Sequence, residues 1–213
     1  MKLFRHDSPI MLFLSDLGDH MLLNTLFVLC SLPIVTIGCS LTAAFKVARL
    51  LADKSCDHVV PQFFRAFREN FRQSTALWCP SLLAYGLLVL YYGMSGDNSV
   101  PYMKVWLLGA FCICVLLTAV LCYAFPLISR YENSLMQHVR NAAVLAVTNL
   151  PRTLLLMVIS IFPVLMFVLL PGVFFYILPL WVILLFSMLT RACVGLIRPL
   201  FRRIEGETEE EKK

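Results

Sequence analysis

The side chains able to carry a reaction or hold a metal are thinly spread along this chain. Its four histidines, His6, His20, His58 and His138, form no HExxH or comparable pairing. Its eight cysteines are Cys30, Cys39, Cys56, Cys79, Cys112, Cys114, Cys122 and Cys193. Most lie within apolar runs, where a free thiol behaves as a small hydrophobic group. No CxxC spacing exists, and Cys112 and Cys114 on a helix would splay their sulfurs about 200° apart. There is no GxSxG elbow, Walker loop or GxGxxG, and the nine glycines build no phosphate cradle. Acidic residues cluster only at Glu205 to Glu211, a polar terminal run that reads as a solvated tail. The expectation is a protein without catalytic residues, cofactor or metal, and not an enzyme.

Two groups of residues remain as candidates for binding. Polar side chains gather around a helix-breaking point early in the chain, with Asn24, Pro33, Thr36, Gly38 and Thr42 at its centre. A discontinuous helix with free backbone groups can hold a solute. The plainer reading is that the hydroxyls bond their own helix and Asn24 bridges to a neighbour. The second group lies in Pro61 to Arg72, where Phe63, Phe64, Phe67 and Phe71 share a helical face flanked by Arg65, Arg68 and Arg72. Such a helix lies at a membrane surface, with phenylalanines in the acyl boundary and arginines at phosphates. It is also the candidate partner-contact surface, together with Arg152.

The elements that must position these residues follow from composition. Of 213 residues, 60% are hydrophobic and 15% charged, against about 45–50% apolar and 25% charged in a soluble domain. So few charges cannot cover a water-facing surface, whereas in lipid the outer helix faces can be apolar too. The net charge of +5 is modest and confined to a few loops, which suits the anionic inner leaflet and not nucleic acid.

A helix needs about 20 residues to cross a hydrocarbon core of about 30 Å. Five stretches qualify: about His20–Phe45, Ser74–Tyr92, Lys104–Leu127, Thr153–Leu170 and Val173–Thr190. The last two are joined by the turn dipeptide Pro171-Gly172 and form a tight hairpin. The first is read as one long helix kinked at Pro33 and Gly38. A re-entrant hairpin of two halves, Leu17–Leu32 and Ile34–Leu50, is the alternative and would return the N-terminus to the cytoplasmic side. Of the 18 Lys and Arg residues, only Lys2, Arg5 and Lys104 fall outside the two long loops and the C-terminal tail under the single-helix reading. That bias places the loops and the C-terminus in the cytoplasm and, with one kinked first span, the N-terminus outside. The fold expected is all-α, an integral membrane helical bundle of about five transmembrane helices with amphipathic helices on its cytoplasmic face. One domain spans 1–204, and 205–213 is a charged, disordered tail.

Several stretches resemble the YesL family, bacterial multi-pass membrane proteins of unknown function. They are Leu23-Asn24, Leu32-Pro33-Ile34-Val35-Thr36-Ile37-Gly38, Leu41-Thr42-Ala43-Ala44, Phe63 through Phe71, and Asn149-Leu150-Pro151-Arg152-Thr153. The resemblance implies a cell-membrane protein associated with ABC-type carbohydrate uptake, with a permease or ATPase subunit as partner. It supplies no catalytic or ligand residues. The chain lacks the EAA-type loop of an ordinary ABC permease, so an accessory or regulatory role is expected. A stand-alone sugar transporter and a membrane scaffold are the alternatives.

Overall fold

A computed structural model of the chain describes residues 9–94 and 101–210. Its helices are α1 (Pro9–Ser31), α2 (Ile37–Ala52), α3 (Val59–Met94), α4 (Pro101–Ile128), α5 (Leu135–Thr148), α6 (Leu150–Leu169), α7 (Pro171–Leu180) and α8 (Phe186–Glu210). A 3-10 turn, Ile34–Thr36, leads into α2, and a π-helical stretch, Trp181–Leu185, joins α7 to α8. No strand occurs among the described residues. The chain is an all-α bundle with five segments long and apolar enough to cross a membrane: Ile34–Ala52, Val59–Met94, Val105–Ile128, Leu150–Leu169 and Pro171–Arg203. Its outer faces are apolar as well, with Val105, Leu116, Leu154, Val158, Val168 and Phe175 all exposed, as a lipid-facing bundle requires.

The first of these segments corrects the expectation of a single kinked span. Along α1, Asn24 meets Trp181 and Val182, His20 meets Ser187, and Asp16 meets Arg191, so α1 runs antiparallel to α7–α8. Along α2, Leu41 and Phe45 share a cavity wall with Thr190 and Cys193, while Asp53 bonds Arg198, so α2 runs parallel to α8. The two helices therefore form a hairpin. Pro33 disfavours helical geometry at the preceding residue and is itself extended, with ψ 117°. Thr36 Oγ1 donates to the carbonyls of Cys30 and Pro33 at 2.7 Å each, and Trp78 Nε1 donates to the Ile34 carbonyl at 2.8 Å. These bonds satisfy a turn that lipid could not. Past Trp78, α3 continues for about sixteen more residues, roughly 24 Å, so the hairpin stops well short of the bundle's other end.

The Pro9 end of α1 lies at the same end as the α2–α3 loop, the α4–α5 loop and the end of α8. The surface helix at Pro61–Arg72 and the second span are one continuous helix of 36 residues, because nothing between Arg72 and Ser74 breaks a helix. Further on, α8 runs through Glu210, and Glu205 within it is tied to Arg130. The turn at Pro171-Gly172 is where α6 and α7 meet. Tyr123 is fully buried, while Tyr92 and Trp106 are exposed.

The hairpin packs most tightly against α3. A Cβ added at Gly38 would lie 2.6 Å from Trp78 Cβ and 3.0 Å from the Ser74 carbonyl oxygen, so only glycine permits this approach. Four residues on, Thr42 Oγ1 shares a hydrogen bond of 2.8 Å with Ser74 Oγ. Replacing Gly38 with alanine should cost about 1–3 kcal/mol through overpacking. Gly195, in α8 with open space around it, should gain about 0.5–1 kcal/mol on the same change. Melting temperatures of the two purified variants in detergent check both signs.

Candidate functional site

The five residues of the early polar group all fall on the hairpin, yet they surround no common space. Asn24 is wholly buried on α1 and reaches α7–α8. Pro33 and Thr36 shape the tip, Gly38 permits close packing, and Thr42 bonds both its own helix at Gly38 and Ser74 on α3. None of the five lines the large cavity described below.

Asn24 has the most specific geometry of the group. Its Nδ2 donates to the carbonyls of Trp181 at 2.9 Å and Val182 at 2.5 Å, and its Oδ1 accepts from the Ser187 amide at 2.8 Å. Val182 and Ser187 are the ends of a widened, π-type turn. The carboxamide thus bridges backbone groups that such a turn leaves open. One turn along α1, Phe27 stacks on Phe186 with ring centroids 3.6 Å apart.

Toward the start of α1, Asp16, His20, Ser187 and Arg191 come together. Arg191 Nη1 lies 2.7 Å from Asp16 Oδ2 and 2.6 Å from His20 Nε2, and His20 Nδ1 lies 2.6 Å from Ser187 Oγ. A guanidinium only donates, so Nε2 accepts and the ring proton sits on Nδ1, which donates to Ser187. A serine nucleophile needs the opposite, an unprotonated ring nitrogen facing its hydroxyl. Ser187 is also 1% exposed. The set has the composition of a Ser-His-Asp triad and the protonation pattern of a structural clasp. Sequence spacing could not reveal it, because its two halves, Asp16 with His20 and Ser187 with Arg191, lie more than 160 residues apart.

The phenylalanine face is divided by the fold. Phe63 is fully buried and Phe67 partly so, while Phe64 and Phe71 are exposed. Arg65, Arg68 and Arg72 are exposed. Glu69 accepts from Arg65 at 2.8 Å and from Lys46 of α2 at 2.7 Å. Arg152 sits partly buried in the first turn of α6 and makes no hydrogen bond or ion pair among the described residues.

Sequence reasoning counted a further set of arginines only for orientation. Arg130 forms a bidentate pair with Glu205 at 2.9 and 2.7 Å, and Tyr131 Oη donates to the same carboxylate at 2.9 Å. Arg130 also lies over the Phe201 ring, 5.2 Å from its centroid. Burial opposes the Glu205 charge, but the bonds from Tyr131 and Arg130 outweigh it and hold the carboxyl below its ordinary range. Burial, then the bond to Glu205, push the Tyr131 phenol up to about 12. Arg198 pairs with Asp53. Arg49, beside these two arginines in the same pit, has a buried Nε with no partner.

Deeper in the bundle lies a cavity of about 540 Å³ between α2, α3, α4, α6 and α8. Its walls are mainly apolar, and its hydroxyls belong to Tyr85, Thr118, Ser160 and Thr190. Tyr85 and Thr118 bond each other at 2.7 Å, and Thr190 bonds the Phe186 carbonyl. Among the described residues, no group of three His, Cys, Asp or Glu is placed to hold a metal ion.

Comparison with known proteins reaches part of this architecture. The profile of one family, a protein family of unknown function designated DUF624, matches residues 20–92, about a third of the chain. The resemblance to the YesL family is consistent with that match. No curated protein and no solved structure matches the chain. The matched stretch runs from His20 through the hairpin and along α3 to Tyr92, and so includes Asn24. Replacing Asn24 with leucine strands the Val182 carbonyl and Ser187 amide in an apolar interior and should destabilise the fold by about 1–3 kcal/mol. Thr25→Val, which removes only an exposed hydroxyl bonded within its own helix, should leave the melting temperature in detergent nearly unchanged.

Proposed function

We propose that this chain is an accessory or regulatory membrane component that acts by binding a partner at its basic end, within an ABC-type carbohydrate uptake system. The observation that carries this reading is the face of α3 formed by Phe64, Arg65, Arg68, Phe71 and Arg72, exposed on a single rigid helix that continues into the bundle. Exposed aromatic and arginine side chains are the types that dominate protein interfaces. The carbohydrate system is what the family resemblance suggests. The large cavity favours this role over a stand-alone sugar transporter, because a sugar needs several free polar groups and the hydroxyls there are few and largely bonded already.

The partner face is cytoplasmic in this proposal. Among the described residues, Lys104 alone of the Lys and Arg belongs to the opposite end, and an excess of positive charge marks the cytoplasmic side. Because the hairpin brings the start of α1 to the same end as these loops, the proposal takes it to be cytoplasmic too. Tags placed at the two termini should therefore both be cut by protease in inside-out vesicles and both be protected in intact cells. Tags on opposite sides would overturn the hairpin topology.

For the partner, the double variant Phe64→Ser, Phe71→Ser leaves the buried Phe63 untouched. After cross-linking in intact cells and purification through a C-terminal tag, the wild type should bring down an ABC permease or ATPase subunit. The variant should recover at least about tenfold less at equal membrane levels. Equal recovery, or a wild type that brings down neither subunit, would sink the proposal.

A further inference from the structure

We propose that the arginine-rimmed pit at the basic end, together with the cavity above it, holds one phosphate-headed membrane lipid. The phosphate sits at Arg49, and a hydrocarbon chain runs past Phe45 into the space between α2, α4, α6 and α8.

The charges around the pit argue for an anion. Arg49, Arg130 and Arg198 line it. Two carboxylates face them, and each is committed: Glu205 to Arg130 and Asp53 to Arg198. Arg49 is left over, with no side-chain hydrogen bond or ion pair among the described residues and a buried, unpartnered Nε. An unpaired guanidinium drawn partly out of water is costly, and a ligand oxygen restores its missing partner. Ser129 lines the same pit, but its hydroxyl is bonded to the Pro126 carbonyl at 2.7 Å, which leaves Arg49 as the donor.

The apolar surroundings identify the anion as a lipid headgroup. The pit encloses only about 20 Å³ between Phe45, Pro126, Val194, Ile197 and Phe201. That is room for about one water-sized group, so a phosphate rests at the mouth and not inside. Phe45 also lines the 540 Å³ cavity, which is on the scale of a ligand site. Its walls of Leu121, Phe125, Leu156, Ile159 and Leu189 suit a hydrocarbon chain. Ile161 and Val164, which form its edge on α6, are exposed on the outer face. A chain therefore enters sideways from the bilayer. Inorganic phosphate would satisfy Arg49 and leave the cavity unexplained.

The test uses the full-length purified protein in detergent, stripped of lipid, with binding read by native mass spectrometry and thermal shift. Phosphatidylglycerol should bind at one copy per chain and raise the melting temperature. Arg49→Gln should weaken that binding at least about tenfold, whereas Arg202→Gln, an exposed arginine of α8 that does not line the pit, should not. Equal stabilisation by inorganic phosphate would identify a free-anion site and overturn the lipid. Equal binding of uncharged diacylglycerol, unaffected by Arg49→Gln, would overturn the headgroup assignment. Should Arg49→Gln fail to fold, phosphatidylglycerol with a photoreactive acyl chain decides on the wild type. Cross-links to cavity peptides around Leu121, Ile159 and Cys193 support the site. Cross-links confined to the outer face of α3 and α4, around Leu88 and Phe111, overturn it.

Discussion

A helix that widens inside a bilayer leaves carbonyl and amide groups that lipid cannot satisfy, and in this chain the carboxamide of Asn24 meets them. Its bonds to Trp181, Val182 and Ser187 fix α1 against α7–α8 at one height and one rotation. With that register set, His20 falls opposite Ser187 and Asp16 opposite Arg191. The hairpin then has nowhere to go but back, and α2 returns between α3 and α8. Its glycine at 38 meets Trp78, its Thr42 meets Ser74, and its end brings Asp53 to Arg198. The clustering of loops at one end follows from these pairings and not from the length of the first apolar run.

The apolar runs were legible because hydrocarbon demands length and hydrophobicity that local composition reports directly. Pro171-Gly172 was legible for the same reason, since a turn signal between two runs leaves little choice. Pro33 and Gly38 marked a break correctly, but a break does not say whether the chain bends or reverses. Reversal depends on Trp78 reaching the Ile34 carbonyl and on α3 accepting a glycine-close neighbour, and both are long-range facts. Phe63 shows the same limit. The helical period puts it on the face of Phe64, Phe67 and Phe71, yet the hairpin covers one edge of that face and draws Phe63 into the core. Asn24 was legible as a bridging residue, while its partners on the π-helical turn were not.

The buried polar groups differ in what they can do, and hydrogen-bond direction separates them. His20 is held between a donor and a hydroxyl that accepts, so its lone pair is spent on Arg191. Asn24 uses both ends of its amide on backbone. Neither retains capacity for a ligand. Arg49 is the opposite case, a guanidinium with donors unspent beside two arginines whose carboxylates are already engaged. Counting partners, and not proximity or composition, distinguishes the clasp from the open site.

The exposed face of α3 and the hairpin are joined by one carboxylate. Glu69 accepts from Arg65 on its own helix and from Lys46 on α2, so a partner that engages Arg65 competes for a group that also steadies the hairpin. Exposed pairs of this kind contribute about 0–1 kcal/mol, too little for binding at that face to unlock α2. The stronger ties between α2 and α3, the Gly38–Trp78 contact and the Thr42–Ser74 bond, are buried and out of a partner's reach. A partner bound at the α3 face, as proposed, would therefore leave the packing of α2 on α3 in place.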